Sequence, residues 1–297
     1  MDAQIPSLVV IVGETASGKS DLAMRLAEQL DGELVCADSW TVYKDFDIGT
    51  AKPSKLERAK IPHHLLDVAD AHGGFSAAVF QELAQPAINA IAARGRLPIM
   101  VGGTGLYVDS VLYQYSFLEQ ADPAERERLN NMTLNEVLAE ANIKGLDTSM
   151  VDTRNKRRVI RLIENEGQLP TKKALRPNTL ILGIRVPREE LEARITKRVD
   201  AMLEAGLEFE VQRLADEYGW GAEPMKGVGY AQWREYFEGS QTLTETRAKI
   251  IKATLDLAKR QRTWFKRNKS IHWLGTPVKW TYVVDTVTTF LDTKHSD

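Results

Sequence analysis

The residues Gly13, Glu14, Thr15, Ala16, Ser17, Gly18, Lys19 and Ser20 spell G-x-x-x-x-G-K-S, the spacing of a phosphate-binding loop. The two glycines let the backbone turn its N–H groups inward and face a helix N-terminus toward an anion. Lys19 adds a mobile positive charge, and Ser20 a hydroxyl for a magnesium ion. The motif says what is held but not its fate: a loop of this kind, common to nucleotide- and ATP-binding proteins, serves phosphoryl transfer, hydrolysis, or departure of diphosphate while another group is transferred. A second feature narrows the choice. Many such loops work with an acidic residue closing a neighbouring strand, yet Leu97-Pro98-Ile99-Met100-Val101 runs into Gly-Gly-Thr-Gly-Leu-Tyr with no acid at its end. The first carboxylate at a strand end is Asp38, in VCADSWTVYKDFDIGTAKP, at the carboxyl edge where α/β sites lie. It is placed either as a general base or as a turn cap in Asp-Ser.

The elements around these residues follow from periodicity. SLVVIV (7–12) is a β-branched apolar run and SDLAMRLAEQL (20–30) has helical spacing, so the loop sits between a buried strand and a helix. Further strands are expected at 33–37, 97–101 and 180–186, with a short one at 271–274, and helices between them. That alternation implies a parallel sheet with right-handed crossovers. From about 116 to 177 the rhythm breaks into short helices without a convincing strand. The expected fold is therefore α/β: a P-loop NTPase-like core (1–115 and 178–297) with a parallel sheet flanked by helices, plus an inserted all-helical domain (116–177). Beyond it, residues 187–214 form a helical stretch broken at Gly206.

The chain has 297 residues, 43% of them hydrophobic and 27% charged, an ordinary globular composition. No run approaches the roughly eighteen apolar residues of a membrane span, and MDAQIPS lacks the regions of a signal peptide, so a cytoplasmic protein without a membrane partner is expected. Cys36 is the only cysteine, which excludes an internal disulfide and a cysteine-rich zinc site. His63 and His64 are adjacent and point apart in an extended segment, so they do not make a metal pair.

The net charge of −2 hides two basic stretches. RNKRRVIR (154–161) has five basic residues in eight, and KATLDLAKRQRTWFKRNK (252–269) has seven with one acid and an aromatic pair. Each alone is compatible with a solvated helix face. Two in one chain point to a polyanion longer than a nucleotide.

DSWTVYKDFDIGTAKP (38–53), PHHLLDV (62–68), VGGTGLY (101–107), NKRRVIRLIE (155–164) and AKRQRTWFKR (258–267), in that order behind GETASGKS, resemble the bacterial tRNA dimethylallyltransferase family from about Pro6 to Leu274. The resemblance implies that Gly13, Thr15, Ala16, Ser17, Gly18, Lys19 and Ser20 hold the diphosphate of dimethylallyl diphosphate, with Mg2+ on Ser20. It implies Asp38 as the base on N6 of the adenosine 3′ of the anticodon, Thr104 near the bridging oxygen and Arg198 on the departing diphosphate. On the RNA side it implies that a tRNA anticodon stem-loop contacts Asp38, Ser39, Trp40, Thr41, Arg157, Arg158, Arg161, Lys226, Gly229, Tyr230, Lys259, Arg260, Gln261 and Trp264, with the inserted domain taking part. The chain departs from the family pattern at Trp40, Thr41, Ala231, Leu255 and Asp256, mostly on that RNA side. A monomer is expected. The competing functions are an adenylate isopentenyltransferase or small-molecule P-loop kinase, and a non-catalytic RNA-binding protein.

Overall fold

The computed structural model describes residues 5–118 and 122–293. Six parallel strands, β1 (Leu8–Gly13), β2 (Gly32–Cys36), β3 (His63–His64), β4 (Leu97–Gly102), β5 (Thr179–Ile184) and β6 (Ile271–Leu274), form one sheet in the order β3-β2-β4-β1-β5-β6. The apolar runs lie in the middle, as burial on both faces requires: every residue of β1 and β4 is buried, and Val10 pairs with Met100 on one side and Ile181 on the other. Cys36 is buried in β2, and that burial pushes its thiol up to about 12, so it is a packing residue.

Helices α1 (Lys19–Gln29), α2 (Lys55–Lys60) and α3 (Ala77–Ala93) connect the first four strands in turn, and α4 (Gly105–Leu112) follows β4. In α1, Leu22, Ala23, Leu26 and Ala27 form the buried stripe that helical spacing demands. Then come α5 (Pro123–Asn131), α6 (Leu134–Ile143) and α7 (Lys156–Glu164). After β5 follow α8 (Arg188–Glu204), α9 (Leu207–Tyr218), α10 (Arg234–Phe237), α11 (Leu243–Phe265) and, past β6, α12 (Trp280–Asp292). Gly206 breaks α8 from α9 with φ of 94°, a left-handed conformation that costs glycine little. Among the described residues no helix is long and apolar enough to cross a membrane.

One strand has no signal in the sequence. β3 is only two histidines, paired to Leu34 and Val35, and neither an apolar run nor alternation marks it. The two rings engage separate partners: His63 Nδ1 lies 2.7 Å from the Ile61 carbonyl and His64 Nε2 lies 2.6 Å from Glu33.

Residues Tyr113–Ala174 form a compact unit of their own, and the remainder of the chain forms the other. The smaller unit thus begins and ends three residues earlier than 116 and 177. Leu129, Val137, Ala141, Val159, Ile160 and Ile163 make its separate core, and among its described residues an antiparallel bridge joins Ser116 and Thr171. Thr133 and Glu136 close a capping box at the start of α6, satisfying two helix-end donors locally.

Candidate active site

A parallel sheet brings the carboxyl ends of neighbouring strands to one edge. β2, β4 and β1 are adjacent, so Asp38, Thr104 and the loop 13–20 emerge side by side. Gly18 sits at the N-terminal boundary of α1 with φ of 89°, and Ala16 also turns left-handed at 61°. These reversals wind the loop about the helix N-terminus. The Ser17 hydroxyl is buried without a hydrogen-bond partner, as suits a group reserved for a ligand.

Three cations converge on this loop. Lys19 Nζ donates to the Glu14 carbonyl at 3.3 Å. Burial lowers its pKa to about 8, with Arg198 adding to that effect and Asp38 and Glu14 opposing it. Arg198, on α8, donates to Thr15 Oγ1 at 3.3 Å, and burial lowers its pKa as well, against the pull of Asp21 and Asp38. One turn earlier Arg194 donates to the Ser17 carbonyl at 3.1 Å, a contact that sequence reasoning did not single out. Cations held in partly desolvated surroundings gain by meeting a polyanion.

Thr104 and Ser39 tie the neighbouring strand ends together. Ser39 N donates to Thr104 Oγ1 at 2.9 Å, the Thr104 hydroxyl reaches Ser39 Oγ at 3.2 Å, and Thr104 N donates to the Ala37 carbonyl at 3.2 Å. Asp38, half-buried, precedes Ser39 in the chain, and its Oδ1 accepts from Trp40 N at 2.9 Å. The turn-cap geometry is therefore present. A carboxylate has two oxygens and about four acceptor sites, so the cap fixes the side chain and leaves capacity for a proton.

Magnesium keeps several waters and phosphate oxygens and needs only one or two protein oxygens. The exposed Ser20, in the first turn of α1, is a donor of that kind. Among the described residues no group of three or more His, Cys, Asp or Glu could hold a metal unaided.

The residues expected to meet RNA fall into three sets. Arg157, Arg158, Lys226, Lys259 and Arg260 are exposed. Ser39, Trp40, Arg161 and Trp264 are half-buried; Arg161 pairs with Glu164 at 3.2 Å, and Trp264 Nε1 donates to Asp109 at 2.8 Å. Thr41, Gly229, Tyr230 and Gln261 are buried. Tyr230, 1% exposed, packs against Gly49 and donates its hydroxyl to Glu210 at 2.7 Å.

Glu210 has no place in the motifs, yet it organises the segment that follows Asp38. Its carboxylate accepts from the backbone N–H groups of Asp47, Ile48 and Gly49 at 3.2, 2.8 and 3.0 Å. The available signal was an acid inside the apolar stripe Leu207, Val211, Leu214 of α9. Lys52 was also unforeseen: it is buried, donates to the Tyr43 carbonyl at 2.7 Å and pairs with Asp47 and Asp67 at 2.8 and 2.7 Å.

Residues 41–268 match the family model described as IPP transferase. A tRNA dimethylallyltransferase of a Roseiflexus species is 42% identical over 274 residues, covering 88% of this chain and 90% of that protein. A full-length tRNA isopentenylpyrophosphate transferase from Bacillus halodurans superimposes with a TM-score of 0.76 at 34% identity, over 98% of each chain. A eukaryotic dimethylallyltransferase acting on tRNA gives the same TM-score of 0.76 at 25% identity, over 91% of this chain and 74% of its own.

Proposed function

The chain belongs to the IPP transferase family, and we propose that it transfers a dimethylallyl group from dimethylallyl diphosphate to N6 of the adenosine 3′ of the anticodon in tRNA, releasing diphosphate. The observation that carries this reading is the gathering of Lys19, Arg198, Asp38 and Thr104 about one phosphate loop at one edge of the sheet.

In the reaction the C–O bond between the allyl carbon and diphosphate breaks, a C–N bond forms to N6, and the N6 proton passes to Asp38. Negative charge grows on the departing diphosphate, where Lys19, Arg198 and the loop N–H groups face it. Preorganised donors in such a position contribute roughly 3 to 4 kcal/mol each to the barrier. An aromatic amine is a weak nucleophile, so loss of its proton as the bond forms calls for a positioned base. The cap from Trp40 N holds Asp38 in one orientation, and the hydroxyl of Thr104, now on Ser39 Oγ, is the donor we assign to the bridging oxygen. Ser20 would hold magnesium, which neutralises part of the diphosphate charge when bound. The adenosine must leave the stack to reach Asp38, and the exposed Arg157, Arg158, Lys226, Lys259 and Arg260 are the side chains we assign to the RNA phosphates.

The test is transfer of label from dimethylallyl diphosphate. Labelled total tRNA with unlabelled AMP is the expected result. Labelled AMP would make the protein an adenylate isopentenyltransferase, and label in neither would leave a non-catalytic RNA binder.

A further inference from the structure

From its sequence the end of α11 looks like an RNA-binding face, but two of its side chains turn inward to the phosphate loop. Gln261 is 8% exposed, and its Oε1 accepts from Thr15 N at 2.7 Å across 246 residues of chain. Its amide nitrogen lies where a Cβ on Gly103 would be 2.3 Å away, so the same side chain covers the Gly-Gly-Thr-Gly turn. The next residue, Arg262, holds the buried Glu14 carboxylate with two nitrogens, one of them at 2.8 Å, and donates to the Val186 carbonyl at 3.0 Å. One turn away, Trp264 lies against Gly105 and is anchored by Asp109.

The two loop residues gripped in this way are also the ones on which the leaving-group cations rest. Thr15, whose N–H is held by Gln261, accepts from Arg198 through Oγ1. Glu14, whose carboxylate is held by Arg262, accepts from Lys19 through its carbonyl. We infer that Gln261 and Arg262 are positioning residues that aim Arg198 and Lys19 at the diphosphate, through Thr15 and Glu14 respectively.

The physical reason lies in the loop's geometry. Only amides that converge bind an anion, and the half-buried Thr15 N–H is held in one direction by the Gln261 side-chain carbonyl. Fixing it to a helix more than two hundred residues away removes one freedom of the loop before the ligand arrives. The glutamate does the same for the preceding residue: a buried carboxylate persists only when paired, and its partner here comes from the same turn of the same helix. A 1 Å error in such a site is enough to weaken charge stabilisation strongly.

This inference rests on the proposed diphosphate chemistry, so its test reads the binding of inorganic diphosphate directly, by calorimetry, beside the binding of tRNA. Gln261→Met keeps the bulk of the side chain and removes the acceptor. It should weaken diphosphate roughly tenfold, leave tRNA affinity within about twofold, and leave the thermal midpoint close to the parent's. In a double-mutant cycle with Arg198→Ala the double variant should bind diphosphate no worse than Arg198→Ala alone, because a positioning residue has nothing left to position. The parallel cycle, Arg262→Met with Lys19→Ala, should be non-additive in the same way. Should Gln261→Met fail to fold, Thr15→Val cuts the same chain at its second link and takes its place in the cycle. Additive losses would overturn the inference, as would a loss of tRNA affinity with diphosphate binding intact, which would make Gln261 an RNA contact. Failure of the parent protein to bind diphosphate would instead overturn the reading of the phosphate loop itself, and this inference with it.

Discussion

The cations at the phosphate loop and the exposed basic residues of α7 and α11 are all assigned to phosphate chemistry, yet they are held in opposite ways. At the loop each cation is partly desolvated and individually held: Lys19 against the Glu14 carbonyl, Arg198 against Thr15, Arg194 against Ser17. Arg157 and Arg158 of α7 and Lys259 and Arg260 of α11 stand exposed. The first arrangement concentrates a large effect in few groups, because low dielectric strengthens every interaction. The second spreads a modest, screened effect over many. Counting basic residues therefore overstates both helices as polyanion faces. In α7, Lys156 donates to the Asn130 carbonyl at 2.7 Å and Arg161 pairs with Glu164 at 3.2 Å; in α11, Arg262 is engaged with Glu14.

If that contrast holds, substitutions should divide by site. Asp38→Asn keeps the acceptor for Trp40 N, so it should leave diphosphate binding unchanged while slowing single-turnover transfer by about 10² to 10⁴. A rate within a few-fold of the parent would leave Asp38 as a turn cap only, and a joint fall in rate and affinity that extra magnesium restores would make it a metal organiser. Lys19→Ala and Arg198→Ala should each lower transfer by about 10² to 10³, measured under the same single-turnover conditions. Near-normal rates in both would erase the distinction between the loop cations and the exposed ones.

Acidity separates the two regions more finely. Burial leaves the Lys19 ammonium with a pKa of about 8. Diphosphate binding requires the charged form and should raise that pKa. Affinity should thus be full below pH 8 and fall by up to about tenfold per unit as the pH rises above it. Calorimetric titrations between pH 7 and 9.5 check the sign; a flat profile would mean that Lys19 does not lose its charge in this range.

The exposed residues should show smaller effects that depend on salt. Lys259→Ala with Arg260→Ala should reduce the log–log salt slope of tRNA binding by about one unit for each RNA phosphate that the variant no longer neutralises, with diphosphate affinity unaltered. Arg161→Ala should change that slope little, since its guanidinium is already paired with Glu164. Equal slopes for the two variants would show that pairing inside α7 does not withdraw a cation from RNA.

Local chemistry fixed much of this molecule. The strand–loop–helix around Lys19, the break at Gly206 and the capped helices of the 113–174 unit follow from periodicity, a left-handed glycine and short-range caps, all written within a few residues. Motifs singled out Asp38, Thr104 and Arg198 as candidates, and the fold gathers them at one sheet edge. Other features needed the folded chain. No local pattern distinguishes Arg262 from its basic neighbours or Gln261 from a surface glutamine, and none marks the two-residue β3 or the hold of Glu210 on residues 47–49. Their partners lie 248, 246, about 30 and about 160 residues away along the chain. A pairing at such separation leaves no period in the sequence, so its residues look polar, basic or short until the sheet order brings the loop, the helix and the strand ends together.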